Sequence, residues 1–168
     1  MMCIVPAEGY MRTLIVYGSK YGYTRECAEI IAELLKDEEV IIVTHLDHQS
    51  YPTLADYDRI IIGGGVYMGR LHRKVRKFIE HNRELLLTRQ IGLFLSCLSQ
   101  GDEAEQMVRK SFSEDMLKHA KAVALVGGCV NLEKLNPLYR RLFRSQQDSL
   151  DKRDTESLKR FTEALRAP

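Results

Sequence analysis

One stretch of the chain, residues 13–24, constrains the fold more than any other. It begins with the apolar run Thr-Leu-Ile-Val-Tyr, which is typical of a strand buried in a parallel sheet. The next residues, Gly-Ser-Lys-Tyr-Gly-Tyr-Thr, are rich in glycine and hydroxyl groups, and apolar positions at helical spacing follow from Cys27 to Leu35. A loop between the end of a strand and the start of a helix exposes free backbone N–H groups at the positive end of the helix dipole. The stretch therefore predicts an anion-binding loop, with phosphate as the expected anion.

The spacing within this loop separates the known kinds of phosphate loop. A Walker loop requires a Gly-Lys pair, and the chain contains none. The dinucleotide fingerprint requires three glycines at fixed spacing, but Lys20 and Tyr23 stand where two of them belong. The pattern Ser/Thr-x-x-Gly-x-Thr is met by Ser19, Gly22 and Thr24. The alternative is a strand-to-helix turn built from ordinary turn and capping residues.

Apolar runs alternate with amphipathic segments along the chain. Parallel strands joined through helices form a sheet that is covered on both faces, and right-handed crossovers restrict its topology. The chain is therefore predicted to be an α/β protein with a doubly wound, five-stranded parallel sheet and helices on both faces. The predicted strands are residues 12–18, 40–44, 59–63, 91–96 and 122–127, and the predicted helices are residues 23–36, 70–86, 102–117, 133–145 and 152–166.

Two further loops are expected at the carboxyl edge of the sheet, where ligands of open α/β sheets bind. Residues 63–69, after the third strand, include four glycines, an unfavourable choice in conformational entropy unless something approaches the backbone closely. A flat aromatic ring would fit there, with Tyr67 or Met68 against it, and the alternative is a flexible turn. Residues 96–102, after the fourth strand, offer small polar groups that can hydrogen-bond the edge of a ring system. Cys97 has no basic neighbour in sequence, so we expect a packed thiol rather than a redox-active one.

Together these three loops resemble the flavodoxin superfamily. Within it, the glycine-rich segment Ile62–His72 looks like the flavodoxin-domain family that includes the menaquinone-dependent protoporphyrinogen dehydrogenases. Residues 126–128, the aromatic and basic stretch at 139–143, and the pattern Asp-x-Arg-Asp at 151–154 are also similar to that family. The resemblance covers residues 12–166.

The resemblance implies the flavodoxin-like strand order 2-1-3-4-5 and an FMN cofactor. The FMN phosphate would sit on the loop at 19–24, and the isoalloxazine ring would lie between the loops at 64–69 and 96–101. No metal is implied, and the resemblance assigns no catalytic residue. The implied cofactor-binding residues are Ser19, Lys20, Tyr21, Gly22, Tyr23, Thr24, Gly64, Gly65, Val66, Tyr67, Met68, Gly69, Ser96, Cys97, Leu98, Ser99, Gln100 and Gly101.

The implied function is that of an FMN-dependent redox protein, which transfers electrons to a partner protein or to a quinone-like or porphyrin-like substrate. One alternative is a protoporphyrinogen dehydrogenase proper, whose family carries a longer insertion than the span from Leu142 to Asp151. The alternative from another class is a flavodoxin fold that binds no flavin and serves as an interaction module. A signalling receiver domain is excluded, because it needs acidic residues where this chain has Gly18-Ser19 and Gly63-Gly64.

Composition and charge set the remaining expectations. The 168 residues, 45% of them hydrophobic, predict one domain at 12–168 behind a loose extension at 1–11. No apolar run reaches the roughly 18 residues that a membrane span needs. A net charge of +2 is too small to predict nucleic-acid binding. The four scattered cysteines predict a reducing, cytoplasmic location without a zinc or iron–sulfur site.

Two polar clusters remain. Residues 133–145 form a basic amphipathic segment that is a candidate for peripheral contact with the inner face of the membrane, although packing against the core is the preferred interpretation. His45, Asp47 and His48 lie together in sequence, which we attribute to chance rather than to a metal site.

Overall fold

The five apolar runs form a single parallel sheet in a computed structural model, which describes residues 11–43, 46, 51–129, 137, 140–141 and 151–168. The strands of this sheet are β1 (Arg12–Gly18), β2 (Glu39–Val43), β3 (Arg59–Tyr67), β5 (Gln90–Ser96) and β6 (Ala122–Leu125). Their order is β2-β1-β3-β5-β6, and a short strand, β4 (Arg70–Leu71), pairs antiparallel with the end of β3. Since β4 is an addition to the predicted set, this order is the predicted 2-1-3-4-5, and the fold class is confirmed.

Helices cover both faces of the sheet. They are α1 (Tyr23–Leu34), α2 (Arg73–Leu86), α3 (Gly101–Ser111), α4 (Glu114–His119) and α5 (Thr155–Arg166). Alternate residues of β1 enter two different cores, as the pleat of a strand requires. Leu14 and Val16 belong to the core under α2 and α4, whereas Ile15 and Tyr17 belong to the core under α1 and α5.

The third strand is longer than predicted. The sequence predicts its end at residue 63, but β3 continues to Tyr67, and the three glycines at 63–65 are buried within it. Each glycine leaves room for a neighbouring side chain of the protein. A Cβ at Gly63 would lie 1.9 Å from Phe94 Cζ, one at Gly64 would lie 2.3 Å from Leu71 Cδ1, and one at Gly65 would lie 2.6 Å from the Tyr67 hydroxyl. The turn itself is confined to Met68 and Gly69, both with positive φ.

Other boundaries differ where tertiary contacts decide them. The single helix predicted at 102–117 is divided into α3 and α4, because Phe112 is extended and buried. The predicted fifth strand ends at Leu125, and β7 (Gly127–Cys129) then pairs antiparallel with β8 (Asp151–Arg153). Because β8 takes residues 151–153, the last helix begins at Thr155, capped by Asp154, and not at 152 as predicted.

A buried arginine links several elements at the edge of the sheet opposite the carboxyl ends of its strands. Arg59, at the start of β3, is 2% exposed and donates to Glu38 at 2.7 Å, to Gln90 at 2.6 Å and to the Leu165 carbonyl at 3.0 Å. Glu38 also accepts a hydrogen bond from the Thr13 hydroxyl at 3.0 Å. These contacts join β1, β3, β5 and α5 away from the carboxyl edge.

Some predictions lie outside the described residues: the extension at 1–10, most of the amphipathic segment at 133–145, and the cluster of His45, Asp47 and His48. Across the described ranges, every helix is too short or too polar to cross a bilayer. The same ranges contain no group of three His, Cys, Asp or Glu side chains placed to hold a metal ion.

Candidate functional site

The loop between β1 and α1 forms a tight turn at the start of the first helix. Gly22 precedes the first turn of α1 with φ 106, a conformation that favours glycine. Its N–H donates to the Ser19 hydroxyl at 3.1 Å, which closes the turn on itself. Behind the loop, the His72 ring packs against Gly18, where a Cβ would lie 2.5 Å from Nδ1. The loop is thus held between the sheet and the start of α2.

This loop binds one side-chain oxygen atom, the hydroxyl of Tyr67. The Lys20 N–H donates to it at 2.6 Å. Burial raises the pKa of the Tyr67 phenol, while hydrogen bonding from Lys20 and from the Thr24 and Ser19 hydroxyls and the Tyr21 N–H acts in the opposite direction. Backbone N–H groups and hydroxyls at a helix N-terminus suit an oxyanion. The donor set therefore fits a phosphate, and the Tyr67 hydroxyl lies where a phosphate oxygen would be expected.

A buried hydrogen bond joins this loop to the end of β5. The hydroxyls of Thr24 and Ser96 are 2.7 Å apart, and both side chains are buried. Thr24, in the first turn of α1, and Ser96, the last residue of β5, come from segments separated by the whole β3 hairpin. Their contact brings the first and the third predicted loops together at the carboxyl edge.

A cleft of about 230 Å³ opens between these segments. Its walls are the end of β3 on one side and the residues after β5 on the other, as expected from the sequence. Of the predicted cofactor-binding residues, those that line the cleft are Tyr21, Tyr23, Thr24, Gly65, Val66, Tyr67, Gly69, Ser96, Cys97, Leu98 and Ser99.

The remaining predicted residues lie around the cleft and not on its wall. Ser19, Lys20 and Gly22 belong to the loop just described, and Gly64 lies within β3 against Leu71. Met68, at the tip of the β3–β4 hairpin, is 94% exposed. Gln100 and Gly101 are exposed at the start of α3.

Four residues on the cleft wall were not predicted. Glu103 and Met107 come from α3, and Gly128 and Cys129 come from β7. The helix residues lie one turn apart on the face of α3 that looks toward the cleft, a placement that depends on where that helix packs. The β7 residues adjoin the sequence match at 126–128, which is the signal that would have found them.

The β7–β8 hairpin supports the residues that follow β5. The Cys97 N–H donates to the Gly127 carbonyl at 2.9 Å, and a Cβ at Gly128 would lie 2.7 Å from the Cys97 carbonyl carbon. Lys152 adds a long contact, at 3.4 Å, from its ammonium to the Leu98 carbonyl. This backbone-to-backbone packing explains the two consecutive glycines and holds one wall of the cleft in place.

Tyr23 has a structural role in addition to lining the cleft. Its ring is buried, and its hydroxyl donates to the Val126 carbonyl at 2.6 Å while it accepts the Asp154 N–H at 3.2 Å. Burial raises the pKa of this phenol, which therefore stays neutral. Tyr23 thus joins the start of α1 to β6 and to the cap of α5.

Two thiols line the cleft in their neutral form. Burial raises the pKa of Cys97 and that of Cys129, and the Asp151 carboxylate raises the pKa of Cys129 further. The Cys97 thiol lies 3.8 Å from the Ser99 carbonyl, to which it donates weakly. This environment agrees with the expectation of a packed thiol at Cys97.

The charges around the cleft have both signs. The Lys20 ammonium lies 5.2 Å from the centre of the Tyr21 ring. Arg25 is paired with Glu29 at 2.8 Å on the exposed face of α1, which offsets its charge. Glu103 brings a carboxylate to the cleft wall.

Comparison with known proteins agrees with this architecture. The sequence matches protoporphyrinogen IX dehydrogenase [quinone] from Escherichia coli (strain K12) with 31% identity over 71 residues, a region that is 42% of this chain and only 39% of that enzyme. The fold is similar to oxidised flavodoxin 1 from Bacillus cereus, with 21% identity and a TM-score of 0.57 over 91% of this chain and 95% of that one. It is also similar to two-electron reduced flavodoxin from Megasphaera elsdenii, with 17% identity and a TM-score of 0.55 over 91% and 97% of the two chains.

The match to a family as a whole covers more of the sequence than the 71 residues matched to the dehydrogenase. The flavodoxin domain profile matches residues 14–157, which include every strand of the parallel sheet from Leu14 onward, the loop at 19–22 and both walls of the cleft. This chain belongs to the flavodoxin domain family.

Proposed function

We propose that this chain binds FMN in the cleft and acts as a redox protein. The observation that carries the proposal is the set of donors at the start of α1: the Lys20 N–H, which donates to the Tyr67 hydroxyl at 2.6 Å, and the hydroxyls of Ser19 and Thr24. Family membership and the flavodoxins of similar fold support the identity of the ligand. The loop would hold the phosphate, and the adjoining cleft would hold the ring.

The cleft offers a suitable environment for the isoalloxazine ring. Gly65 and Gly69 bring backbone close to the space from one side, and Ser96 and Ser99 bring small polar groups from the other. Bound FMN would supply the electron-transfer chemistry of its ring, while the protein would orient the ring and adjust its electrostatic surroundings. In that adjustment Lys20 favours added negative charge and Glu103 opposes it.

The proposed reaction partner is another redox protein or a quinone-like small molecule, reached in the cytosol. The free thiols at Cys27, Cys97 and Cys129 are compatible with a reducing compartment. Porphyrinogen oxidation is the second candidate activity, because the curated relative is a protoporphyrinogen IX dehydrogenase that uses a quinone. Anaerobic incubation of the FMN-loaded protein with protoporphyrinogen and a quinone, followed by porphyrin fluorescence, tests it. A rate equal to that of free FMN would remove this candidate.

A flavin titration tests the main proposal. Flavin-free protein titrated with FMN is expected to quench the flavin fluorescence and to shift its visible absorption bands at one equivalent. Absence of any spectral change at saturating FMN would contradict the proposal and would favour a flavin-free interaction module.

The phosphate assignment has its own test. Thr24→Ala removes one hydroxyl from the donor set and is expected to weaken FMN binding about 10- to 150-fold, as loss of a hydrogen bond to a charged group predicts. Riboflavin binding should change much less, because riboflavin has no phosphate. Thr162→Ala is the matched control, since Thr162 is also buried but its hydroxyl bonds the Lys159 carbonyl within α5. Equal FMN affinity in the two variants would show that the phosphate does not sit on this loop.

A further inference from the structure

The side chain of Tyr67 occupies the place that the proposed function gives to the phosphate. Its hydroxyl accepts a hydrogen bond from the Lys20 N–H at 2.6 Å. We propose that Tyr67 is an intramolecular competitor for the phosphate loop, and that it determines how strongly this chain distinguishes a phosphorylated flavin from an unphosphorylated one. This inference rests on the proposed function.

The strand and its hairpin place Tyr67 over the loop. Alternation along β3 puts Gly65 and Tyr67 on the same face of the sheet. Because Gly65 has no Cβ, the Tyr67 ring folds back across it, and an added Cβ would meet the phenol oxygen at 2.6 Å and Cζ at 2.8 Å. The backbone of Tyr67 is fixed by its pairing with Arg70 across the turn. The position of the ring is therefore built into the hairpin.

The ring and the hydroxyl of Tyr67 have separate surroundings. The ring meets Tyr21 edge-on at 5.5 Å and His72 edge-on at 5.9 Å, and the Lys20 ammonium lies 6.0 Å from its centre. Among the hydrogen bonds of the described residues, the hydroxyl takes part in the one from the Lys20 N–H. Removing the oxygen alone should therefore empty the loop while the packing of the ring is retained.

A phosphate and the Tyr67 hydroxyl exclude each other. The Lys20 N–H can point at one acceptor at 2.6 Å, so a phosphate oxygen gains that donor only when the phenol moves away. The phosphate is the stronger acceptor because it is charged, and it is expected to displace the phenol. FMN can bind only those molecules in which the phenol has left the loop, so its apparent affinity is reduced in proportion to their fraction. For one neutral hydrogen bond this reduction is roughly two- to tenfold. Riboflavin, which leaves the loop to Tyr67, would not meet this penalty.

The test compares two flavins and two proteins. The variant Tyr67→Phe keeps the ring and removes the hydroxyl. FMN is expected to bind it roughly two- to tenfold more tightly than it binds the wild type, whereas riboflavin affinity stays the same, so that the ratio of the two dissociation constants rises. Tyr51→Phe is the control, because Tyr51 also packs edge-on against an aromatic ring, that of Phe78, but far from the loop. Its ratio should equal that of the wild type.

Several results would overturn the inference. A ratio that is unchanged or lower in Tyr67→Phe would mean that the hydroxyl does not compete with the phosphate. An equal gain for both flavins would mean that Tyr67 obstructs the ring and not the phosphate. If Tyr67→Phe fails to fold, Tyr67→Leu serves in its place with the same expected direction.

Inorganic phosphate separates this inference from the proposed function. Phosphate added to the flavin-free protein is expected to shift the amide resonance of Lys20, and to do so at a two- to tenfold lower concentration in Tyr67→Phe. If this holds while neither flavin binds, the competition is real and the proposed function is wrong. If the flavins bind but Tyr67→Phe changes neither the phosphate titration nor the flavin ratio, the proposed function stands and the inference fails.

Discussion

Removing Arg59 should destabilise the flavin-free protein more than removing any exposed arginine. In Arg59→Met the long apolar side chain replaces most of the volume, but the Glu38 carboxylate, the Gln90 amide oxygen and the Leu165 carbonyl each lose one hydrogen-bond donor. The side chains of Arg59 and Glu38 are 2% and 16% exposed, so water compensates poorly for the lost contacts. Breaking such a buried pair lowers the free energy of unfolding by about 3–5 kcal/mol. For a chain of this length the melting temperature should fall by roughly 6–20 °C.

The control for this variant is an exposed pair of nearly the same length. Arg25 and Glu29 are 2.8 Å apart, but their side chains are 62% and 50% exposed. Arg25→Met should therefore leave the free energy of unfolding almost unchanged. Urea unfolding followed by far-ultraviolet circular dichroism measures both variants, with an unchanged m-value expected. Replacing Glu38 by Leu in the Arg59→Met background should restore part of the loss, because the half-buried carboxylate that lost its Arg59 partner is gone. The reasoning is refuted if Arg59→Met and Arg25→Met lose the same stability.

Three other substitutions or conditions test the packing and the titrating groups. Hydrogen bonds with Ser157 lower the pKa of Asp154, and the ionised carboxylate stabilises the start of α5. Asp154→Ala should therefore lower the free energy of unfolding by about 0.5–2 kcal/mol at pH 7. Urea unfolding at a series of pH values should show that the difference from wild type shrinks as the pH falls below about 4. Gly63→Ala places a Cβ 1.9 Å from Phe94 Cζ and should lower the free energy of unfolding by about 1–3 kcal/mol. Part of this loss should be recovered when Phe94 is also changed to Leu. A Gly63→Ala variant as stable as the wild type would disprove the packing argument. Burial raises the pKa of the Cys27 thiol to about 12, so the folded protein should resist thiol reagents at Cys27 at pH 8, and stability should decline as the pH rises from about 8.5 toward that value. Rapid labelling of Cys27 under native conditions would contradict the burial on which this depends.

The sheet could be predicted because its strands carry their own signal. A parallel strand covered on both faces reads as an unbroken apolar run, and β1, with residues 13–17 buried, is such a run. The loop at 19–22 could be predicted because a strand, a turn rich in small residues and a helix occur in immediate succession. Both inferences depend on residues that are adjacent in sequence.

The elements that were missed depend on residues far apart. Glycine disfavours a strand on its own, and Gly63 lies in β3 because Phe94, its neighbour across the ladder, fills the space of a side chain. The β7–β8 pair joins segments on either side of residues 130–150, and three residues per strand are too few to leave a periodic pattern. The error at β3 then affected the site. Had the strand been extended to Tyr67, its alternation would have placed that side chain on the same face as Gly65, toward the loop at 19–22.

The β7–β8 ladder has a consequence for how this chain can vary. The three paired residues of each strand hold residues 129 and 151 next to each other. The number of residues between them can therefore change without moving the parallel sheet. The entropic cost of joining two points of a chain grows slowly with the number of residues between them, by only about 0.6 kcal/mol for each doubling. Insertions between Cys129 and Asp151 should therefore leave the rest of the fold intact, and related chains can acquire new contacts at this position.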